Sequence, residues 1–452
     1  MKKKMLSMLL AMTCVAGALA GCGQQAETKT DEAAAGAEAK QDSEAAVEEA
    51  LENMEIEPAV ESEVEEGEVD NAQQHLSVYS DPVRLSDYLF EITYESYENA
   101  RTFAEDYYAE NYKLGACSSV QNGDIRGRNY DWVYDNASTF VIHVPATDDR
   151  HASVGVAAAS LMTPEKVMEG NFDVFMDMLP YGMLDGINDA GLCVNVNVIP
   201  FGELGEFEMK TEDPSDDVFP VMVTRLLLDG AGTVEEAINM MEKMDIYSIK
   251  DMDEAHFMIS GIASADDGTY KTVIVELVPD ENKHYQLNVI DKFVDDKPIM
   301  TNFPLTGFDG TEASLTARPM GIERYNLLNK QFDQGSSVAG MIELMKKVYY
   351  THTYDLYAND FWYSEHIQDD NPVPYSERGE ACLNGDLGKA GGYADSIAKM
   401  VEKFANRERG SKENSTWHTV HTAVYDTQNL EVSVLSQEGS IAYKFNLSDR
   451  IG

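Results

Sequence analysis

One stretch of the chain holds a cysteine and an arginine close together: Cys117 and Arg128, within Gly115-Ala116-Cys117-Ser118-Ser119-Val120-Gln121-Asn122-Gly123-Asp124-Ile125-Arg126-Gly127-Arg128-Asn129-Tyr130-Asp131-Trp132. A thiol beside a guanidinium suits nucleophilic catalysis, in which a thiolate attacks an acyl carbon. Asn122-Gly123 between two strand-like runs signals a hairpin with a type I′ turn. With those two residues at its centre, Cys117 lies directly across from Arg128. A guanidinium opposite a thiol favours the thiolate, the reactive form. A free cysteine otherwise behaves as a small buried hydrophobe, and the hairpin alone leaves both readings open.

The other candidates carry less chemistry. Cys193 sits in an apolar strand and reads as inert packing, and Cys382 lies in a polar stretch with no motif around it. The five cysteines (14, 22, 117, 193 and 382) contain no Cys-x-x-Cys pair, which excludes zinc ribbons and thioredoxin-like sites. Gly-x-Ser-x-Gly, His-Glu-x-x-His, Walker A and Gly-x-Gly-x-x-Gly motifs are missing from the sequence. His418 and His421 are three apart in an expected strand, so they should face opposite sides and share no metal.

The thiol needs a frame. Upstream, Tyr88, Phe90, Ile92 and Tyr94 alternate with Leu89, Glu91 and Thr93, a strand pattern. Ala100, Phe103, Ala104, Tyr107 and Tyr108 then make one face of an amphipathic helix that must stop before Gly115. Amphipathic helices are also expected over 233–244, 338–348 and 395–404, with their methionines in the core. The stretch 349–375 is dense in Tyr, His and Trp, and reads either as a loop packing on the fold or as an acyl-pocket lining. No internal repeat is visible.

Composition narrows the function. Of 452 residues, 80 are acidic and 34 are Lys or Arg, a formal net charge of -46. That excludes a nucleic-acid binder, which needs clustered basic side chains, and a polybasic membrane-surface protein. Residues 2–4 are lysines, and 5–20 form an uncharged apolar run, too short to span a bilayer and fitting a signal h-region. The run ends in Leu19-Ala20-Gly21-Cys22, which resembles the bacterial lipobox, whose cysteine takes a diacylglyceryl group. Residues 23–76 hold 17 acidic residues against two lysines and no aromatic residue, the composition of a disordered tether. The expected organisation is signal peptide to residue 22, linker 23–76, pro-segment 77–116 and catalytic domain 117–452. The mature chain is expected outside the cytoplasmic membrane, held on its outer face by the lipid on Cys22.

The chemistry-bearing residues also carry a resemblance. Cys117-Ser118-Ser119, a glycine, then Gly127-Arg128-Asn129-Tyr130-Asp131 resembles the opening of the choloylglycine hydrolase family. These N-terminal-nucleophile (Ntn) hydrolases include bile salt hydrolases and penicillin V acylases. The pattern is also similar to the isopenicillin N acyltransferase and acid ceramidase branches, where the cysteine lies inside a precursor. Leu184-Asp185-Gly186-Ile187-Asn188-Asp189-Ala190-Gly191-Leu192 resembles the family's Asp-Gly-x-Asn-x-x-Gly-Leu turn, and Val194-Asn195-Val196-Asn197 after it is closest to the acyltransferase branch. Met300-Thr301-Asn302-Phe303-Pro304 resembles the Thr-Asn-x-Pro segment, following a strand at 273–277 that contains Glu276. Gly321-Ile322-Glu323-Arg324-Tyr325 resembles the site of a late arginine.

The resemblance covers most of 117–452 and implies an α+β fold, the Ntn-hydrolase αββα four-layer sandwich, with no metal or cofactor. It implies that Cys117 is the nucleophile and that its own α-amine, freed by cleavage at Ala116-Cys117, is the base. An α-amine near about 8 and a thiol near about 8.5 exchange a proton at little cost. Arg128 and Asp131 would orient the thiol and amine, Asn302 would donate to the oxyanion, and Arg324 would set the electrostatics. A second oxyanion donor would come from the strand at 194–198: Asn195, Asn197 or a backbone N–H. Arg128 and Asp131 face opposite ways in a regular strand, so a bend or bulge is expected between them.

The function implied is autoprocessing followed by hydrolysis of a linear, non-peptide carbon–nitrogen amide through a Cys acyl-enzyme. The substrate would be a small N-acyl amide such as a conjugated bile acid, penicillin V or a fatty acyl amide. Acyl transfer to an amine would use the same acyl-enzyme. A non-catalytic extracellular binding lipoprotein shares the lipobox, linker and globular body, but needs neither Gly-Arg-Asn-Tyr-Asp nor a cut at 116/117. Buried aromatic side chains at 88–94 and 100–108 predict that the cleaved pro-segment stays bound as a small subunit. Iodoacetamide should abolish activity with alkylation mapped to Cys117; full activity in folded Cys117→Ala would end the nucleophile assignment.

Overall fold

Strands dominate the framework around Cys117. The computed structural model describes residues 56–58, 76–111, 116–132, 138–159, 176–199, 217–246, 254–282, 284–310, 321–349, 418–437 and 439–450, all within the unit Met54–Gly452. The expectations for Cys22, for 23–55 and 59–75 of the linker, for Cys382, for the helix at 395–404 and for the aromatic stretch beyond Tyr349 lie outside these residues.

Seven strands form one sheet: β1 (Ile56–Pro58), β5 (Ala116–Asn122), β6 (Ile125–Trp132), β16 (Ile299–Met300), β17 (His418–Asp426), β18 (Glu431–Ser436) and β19 (Ala442–Asn446). Their order is β1-β19-β18-β17-β6-β5-β16. A ten-stranded sheet contains β2 (Val78–Tyr79), β3 (Val83–Arg84), β4 (Leu89–Ser96), β7 (Thr139–Val144), β8 (Ser153–Ala158), β9 (Met183–Asn188), β10 (Cys193–Ile199), β13 (Glu254–Ile262), β14 (Tyr270–Pro279) and β15 (Tyr285–Ile290). It runs β15-β14-β13-β10-β9-β8-β7-β4-β2, with β3 beside β4. A small parallel pair joins β11 (Asp217–Val218) to β12 (Asp245–Ile246). The helices are α1 (Arg101–Asn111), α2 (Met222–Gly230), α3 (Val234–Lys243), α4 (Ile322–Lys330) and α5 (Val338–Lys347). Thr233 starts α3 with a capping box to Glu236, and Ser337 caps α5 through the N–H of Gly340, each satisfying end groups that would otherwise lack partners. Among the described residues no helix is long and apolar enough to cross a membrane.

Alternation along each strand sorts side chains into layers. Val194, Val196 and Val198 of β10 pack with Met222, Val223, Leu227 and Leu228 of α2 and with Ala237 and Met241 of α3. Val120, Ile125, Val424 and Leu435 of the other sheet pack with Met341, Ile342, Leu344 and Met345 of α5. Between the sheets, Val141, Val154, Val156 and Ile187 meet Ala423, Tyr425, Val432 and Val434. The result is the α+β, four-layer αββα sandwich.

Three local expectations need correction. Residues 56–58, placed in the disordered linker, pair in parallel with Ala442–Lys444, where their backbone supplies the edge strand of the seven-stranded sheet. Phe103 is 39% exposed, so the apolar face of α1 is narrower than its periodicity suggests. The hairpin turns on Gly123-Asp124, not Asn122-Gly123, since Asn122 pairs with Ile125 and Cys117 with Tyr130. Only Gly123 takes a positive φ there, at 58°, which is the glycine-first pattern of a II′ turn. The shift is two residues in register, so face parity is kept and Cys117 and Arg128 stay on one side as diagonal neighbours.

The segment before Cys117 is part of the framework. β4 pairs in parallel with β7 from Leu89↔Thr139 to Thr93↔His143, inside the ten-stranded sheet.

The sandwich has a polar layer between its sheets. Arg126 of β6 is fully buried and donates to Gln121 Oε1 (2.8 Å), Cys193 O (3.1 Å), Asn195 Oδ1 (3.1 Å), Met258 O (2.8 Å) and Ser260 Oγ (2.6 Å). Those five acceptors use the fixed fork of a guanidinium, whereas an ammonium offers three hydrogens from one point. Arg126→Lys should therefore destabilise the fold by roughly 2–3 kcal/mol. Urea unfolding measures it, and an unchanged midpoint would show that this layer does not brace the two sheets.

Candidate active site

Cys117, the second residue of β5, is completely buried on the face turned toward the ten-stranded sheet, and its sulfur and main chain are held by different groups. The sulfur belongs to Arg128, whose Nη2 donates to Sγ at 3.2 Å and to Val196 O at 3.3 Å. Nη1 of the same guanidinium lies 3.1 Å from Asp185 Oδ2 and 3.1 Å from His421 Nε2. The Cys117 N–H donates to Asn302 Oδ1 at 2.9 Å, and its carbonyl accepts from Arg324 Nη1. Arg324 also donates to Ser118 Oγ (2.8 Å), Asp131 Oδ2 (3.3 Å) and Asn302 Oδ1 (2.6 Å), while Thr419 Oγ1 donates to Asp131 Oδ1 at 2.6 Å.

No bend is needed between Arg128 and Asp131. β6 keeps an unbroken register against β5, so the two side chains point to opposite faces. Arg128 reaches the sulfur from inside the sandwich. Asp131 acts from the other face, where it meets Arg324 and Thr419. The irregularity lies in β17, between Thr419 and His421. It places His418 opposite Trp132 and His421 opposite Tyr130, both on one face of β6, so the expected opposite orientation of the two histidines does not hold.

Asn302 and the β10 asparagines have partners other than an oxyanion. Asn302 Nδ2 donates to Val198 O at 2.8 Å, leaving Oδ1 as the group that faces Cys117. Asn195 donates to Ser119 Oγ (2.9 Å) and Asn197 Oδ1 (3.2 Å), and Asn197 donates to Met300 O and Thr301 O. Both side chains link the sheets and neither bonds Cys117. The alternating Val and Asn of β10 would ordinarily suggest one wet face; here both faces are buried, because the second sheet supplies the hydrogen bonds.

The turn carrying Asn302 is clamped. Glu276 accepts from the N–H groups of Leu305 (2.6 Å) and Thr306 (2.8 Å) and from the Thr306 hydroxyl, and His256 Nε2 lies 3.0 Å from Thr301 O. Gly321, at φ 83°, begins α4 against this turn, and a Cβ there would meet Thr301 Oγ1 at 2.8 Å and Asn302 N at 3.0 Å. Only glycine fits both demands, and the fit brings Arg324 onto Cys117.

The electrostatics reverse one expectation. Burial pushes the Cys117 thiol up to about 11, outweighing the attraction of Arg128 and Arg324 for a thiolate, and Asp131 and Asp185 push the same way. In the uncut chain the thiol is therefore protonated at neutral pH. Cys193, also buried, is likewise pushed up to about 11 and stays a packing residue, as expected. Asp185 is opposed by burial, yet Arg128 and the hydrogen bonds from His421 and Tyr425 hold it below the usual carboxylate range. Asp185, His421 and Tyr425 have no role legible in the sequence alone: Asp185 lies inside the Asp-Gly-x-Asn segment, while the histidine and the tyrosine have no local signal.

Residues 119–260 match the family model described as acyl-coenzyme A:6-aminopenicillanic acid acyl-transferase, a span holding Arg128, Asp131 and Asp185 but not Cys117, Asn302 or Arg324. Among solved structures, the chain is similar to a conjugated bile acid hydrolase from Clostridium perfringens (15% identity, covering 74% of this chain and 93% of that one, TM-score 0.37). It is also similar to a penicillin V acylase from Agrobacterium tumefaciens (16% identity, 74% and 86% covered, TM-score 0.34). Among curated proteins none matches. Cys117 stands near the head of a central strand of the αββα sandwich, and the residues that follow it, 119–260, are similar to the acyl-transferase family whose model they match.

Glu276 gives a pH test. Burial opposes its ionisation, but hydrogen bonds from His256, Thr306 and the Leu305 N–H hold its carboxyl below the usual range. A depressed folded-state value contributes stability above the unfolded value, near about 4.3, that is lost as pH falls through the folded one. The melting temperature should drop as pH is lowered from about 5 to below 4, and Glu276→Gln should flatten that drop while costing on the order of 1–3 kcal/mol at neutral pH. Parallel acid profiles in thermal melts would assign the acid sensitivity elsewhere.

Proposed function

We propose that this chain is a Cys N-terminal-nucleophile amidohydrolase that cuts its own Ala116-Cys117 bond and then hydrolyses a small, linear, non-peptide N-acyl amide. The observation that carries the reading is the separate holding of the Cys117 nitrogen on Asn302 and of its sulfur on Arg128, 2.9 and 3.2 Å away. In self-cleavage, Sγ adds to the Ala116 carbonyl carbon and the thiol proton passes to the Cys117 nitrogen as the C–N bond breaks. Water then hydrolyses the thioester to leave a carboxylate on Ala116 and a free thiol. The same nitrogen, now an α-amine beside Asn302 Oδ1, takes the thiol proton in turnover and returns it to the leaving amine. Arg128 stabilises the thiolate so produced, and Arg324, on the Cys117 carbonyl, keeps the new N-terminus in place.

The fold supports retention of the small chain after the cut. Besides the β4–β7 pairing, the Tyr97 hydroxyl bonds Asp229 at 2.6 Å, the Arg150 guanidinium sits 5.0 Å from the Tyr97 ring centre, and His143 pairs with Glu91 at 2.9 Å. The lipid expected on Cys22 would then hold the enzyme on the outer membrane face through the smaller chain. The matched family model is named for an acyltransferase, so transfer of the acyl group to an amine is the second reading. Added amine diverting the product from free acid to a new amide would decide for it.

Denaturing gels of the active protein should show two bands, the larger holding roughly three-quarters of the 50.1 kDa, that co-elute in native gel filtration. Cys117→Ala should remain one band and lose activity. An active, uncut chain would overturn the mechanism, and loss of the small chain on native filtration would overturn the docking.

A further inference from the structure

We propose that Asp185 is the positioning residue of Arg128, held in turn by Tyr425 and His421, and that this buried chain aims the guanidinium at the Cys117 sulfur. The inference rests on Cys117 being the nucleophile and adds how its partner is oriented. Arg128 divides its two terminal nitrogens: Nη2 serves the sulfur, and Nη1 lies 3.1 Å from Asp185 Oδ2. Asp185 is anchored through its other oxygen, which accepts from the Tyr425 hydroxyl. All four side chains are fully buried, and they come from three strands, β6, β9 and β17, in both sheets. The Arg128 pose therefore depends on the sheets being in register, not on the hairpin alone.

His421 shows how tightly this pose is built. Its Nε2 is 3.1 Å from a guanidinium nitrogen and 3.3 Å from the Asp185 oxygen, while Nδ1 is buried with no hydrogen-bond partner among the described residues. One nitrogen cannot accept from Arg128 and donate to Asp185 at once, so a neutral ring satisfies one contact and strains the other. Such an arrangement persists only where the surroundings impose it. Burial and Arg128 keep His421 from charging, leaving Arg128 and Asp185 as the local ion pair.

The charged and titratable groups around the thiol are Arg128 and Asp131 of β6, Arg324 of α4 and Asp185 of β9, with Tyr130, His421 and Tyr425 packed against Arg128. Asparagine at 185 keeps an acceptor for Nη1 and can donate to Tyr425, but removes the charge that opposes the thiolate. Alanine removes the tether as well. A positioning residue thus predicts opposite effects on the thiol from the two substitutions, where a purely structural one predicts no such split.

The test uses the purified full chain and iodoacetamide, reading the pH midpoint of Cys117 alkylation by peptide mass together with the rate of cleavage at 116/117. Asp185→Asn should lower the midpoint by about one pH unit and slow cleavage roughly threefold; Asp185→Ala should raise the midpoint and slow cleavage about a hundredfold or more. Tyr425→Phe, which deletes one hydroxyl, should slow cleavage several-fold at an unchanged melting temperature, and it keeps the test decisive if the alanine variant does not fold. Midpoints and rates that match the unsubstituted chain in Asp185→Asn and Tyr425→Phe would overturn the proposal while leaving Cys117 as nucleophile. Cleavage surviving in Cys117→Ala would overturn both.

Discussion

Arg324 lies outside the hairpin that carries the nucleophile, yet its guanidinium ties that hairpin to everything else. It contacts the Cys117 carbonyl, the Ser118 hydroxyl, the Asp131 carboxylate and the Asn302 amide oxygen. A buried cation with such partners must have them all in place, because an unpaired charge in the interior costs several kcal/mol. The start of α4 against the 301–302 turn, the glycine that allows it and the Glu276 clamp under the same turn all serve that requirement. The main chain of Cys117 is held accordingly, and its side chain is left to Arg128.

Charge balance sets the chemical state of the site. Two guanidinium groups, of Arg128 and Arg324, stand against the carboxylates of Asp131 and Asp185, all four without solvent exposure. The set is close to neutral, so a thiolate would add an uncompensated charge to a dry interior. Desolvation therefore outweighs the nearby arginines and the thiol stays protonated. Freeing an α-amine at the same residue would supply a proton acceptor beside the sulfur, which neither arginine can be.

Assembly of the site involves distant parts of the chain. Cys117, Asp185, Asn302, Arg324 and His421 belong to five separate segments, and only the packed sandwich brings them together. β4 lies within the same sheet as β9 and β10, so the part of the chain upstream of Cys117 folds with the rest and not after it. A cut at 116/117 would then sever a finished structure, in which sheet hydrogen bonds and the Tyr97–Asp229 contact already join the two pieces.

The sequence by itself singled out Cys117 as the candidate nucleophile and the hairpin that carries it with Arg128, and its family resemblance added the Thr-Asn-x-Pro turn and the late arginine, because each is a short run whose residue types carry its chemistry. It also determined α3 and α5 nearly to the residue, since capping and amphipathic spacing are local properties. Only the tertiary structure decided which group each residue would touch. The hairpin register depended on whether Asn122 or Gly123 led the turn, and both choices kept Cys117 and Arg128 on one face. The β17 irregularity that turned His421 inward, and the pairing of Asp185 with Arg128, arise from two sheets meeting, which no local spacing encodes. The state of the thiol was settled the same way: a neighbouring arginine is visible in the sequence, whereas the desolvation that overrides it exists only after the layers close.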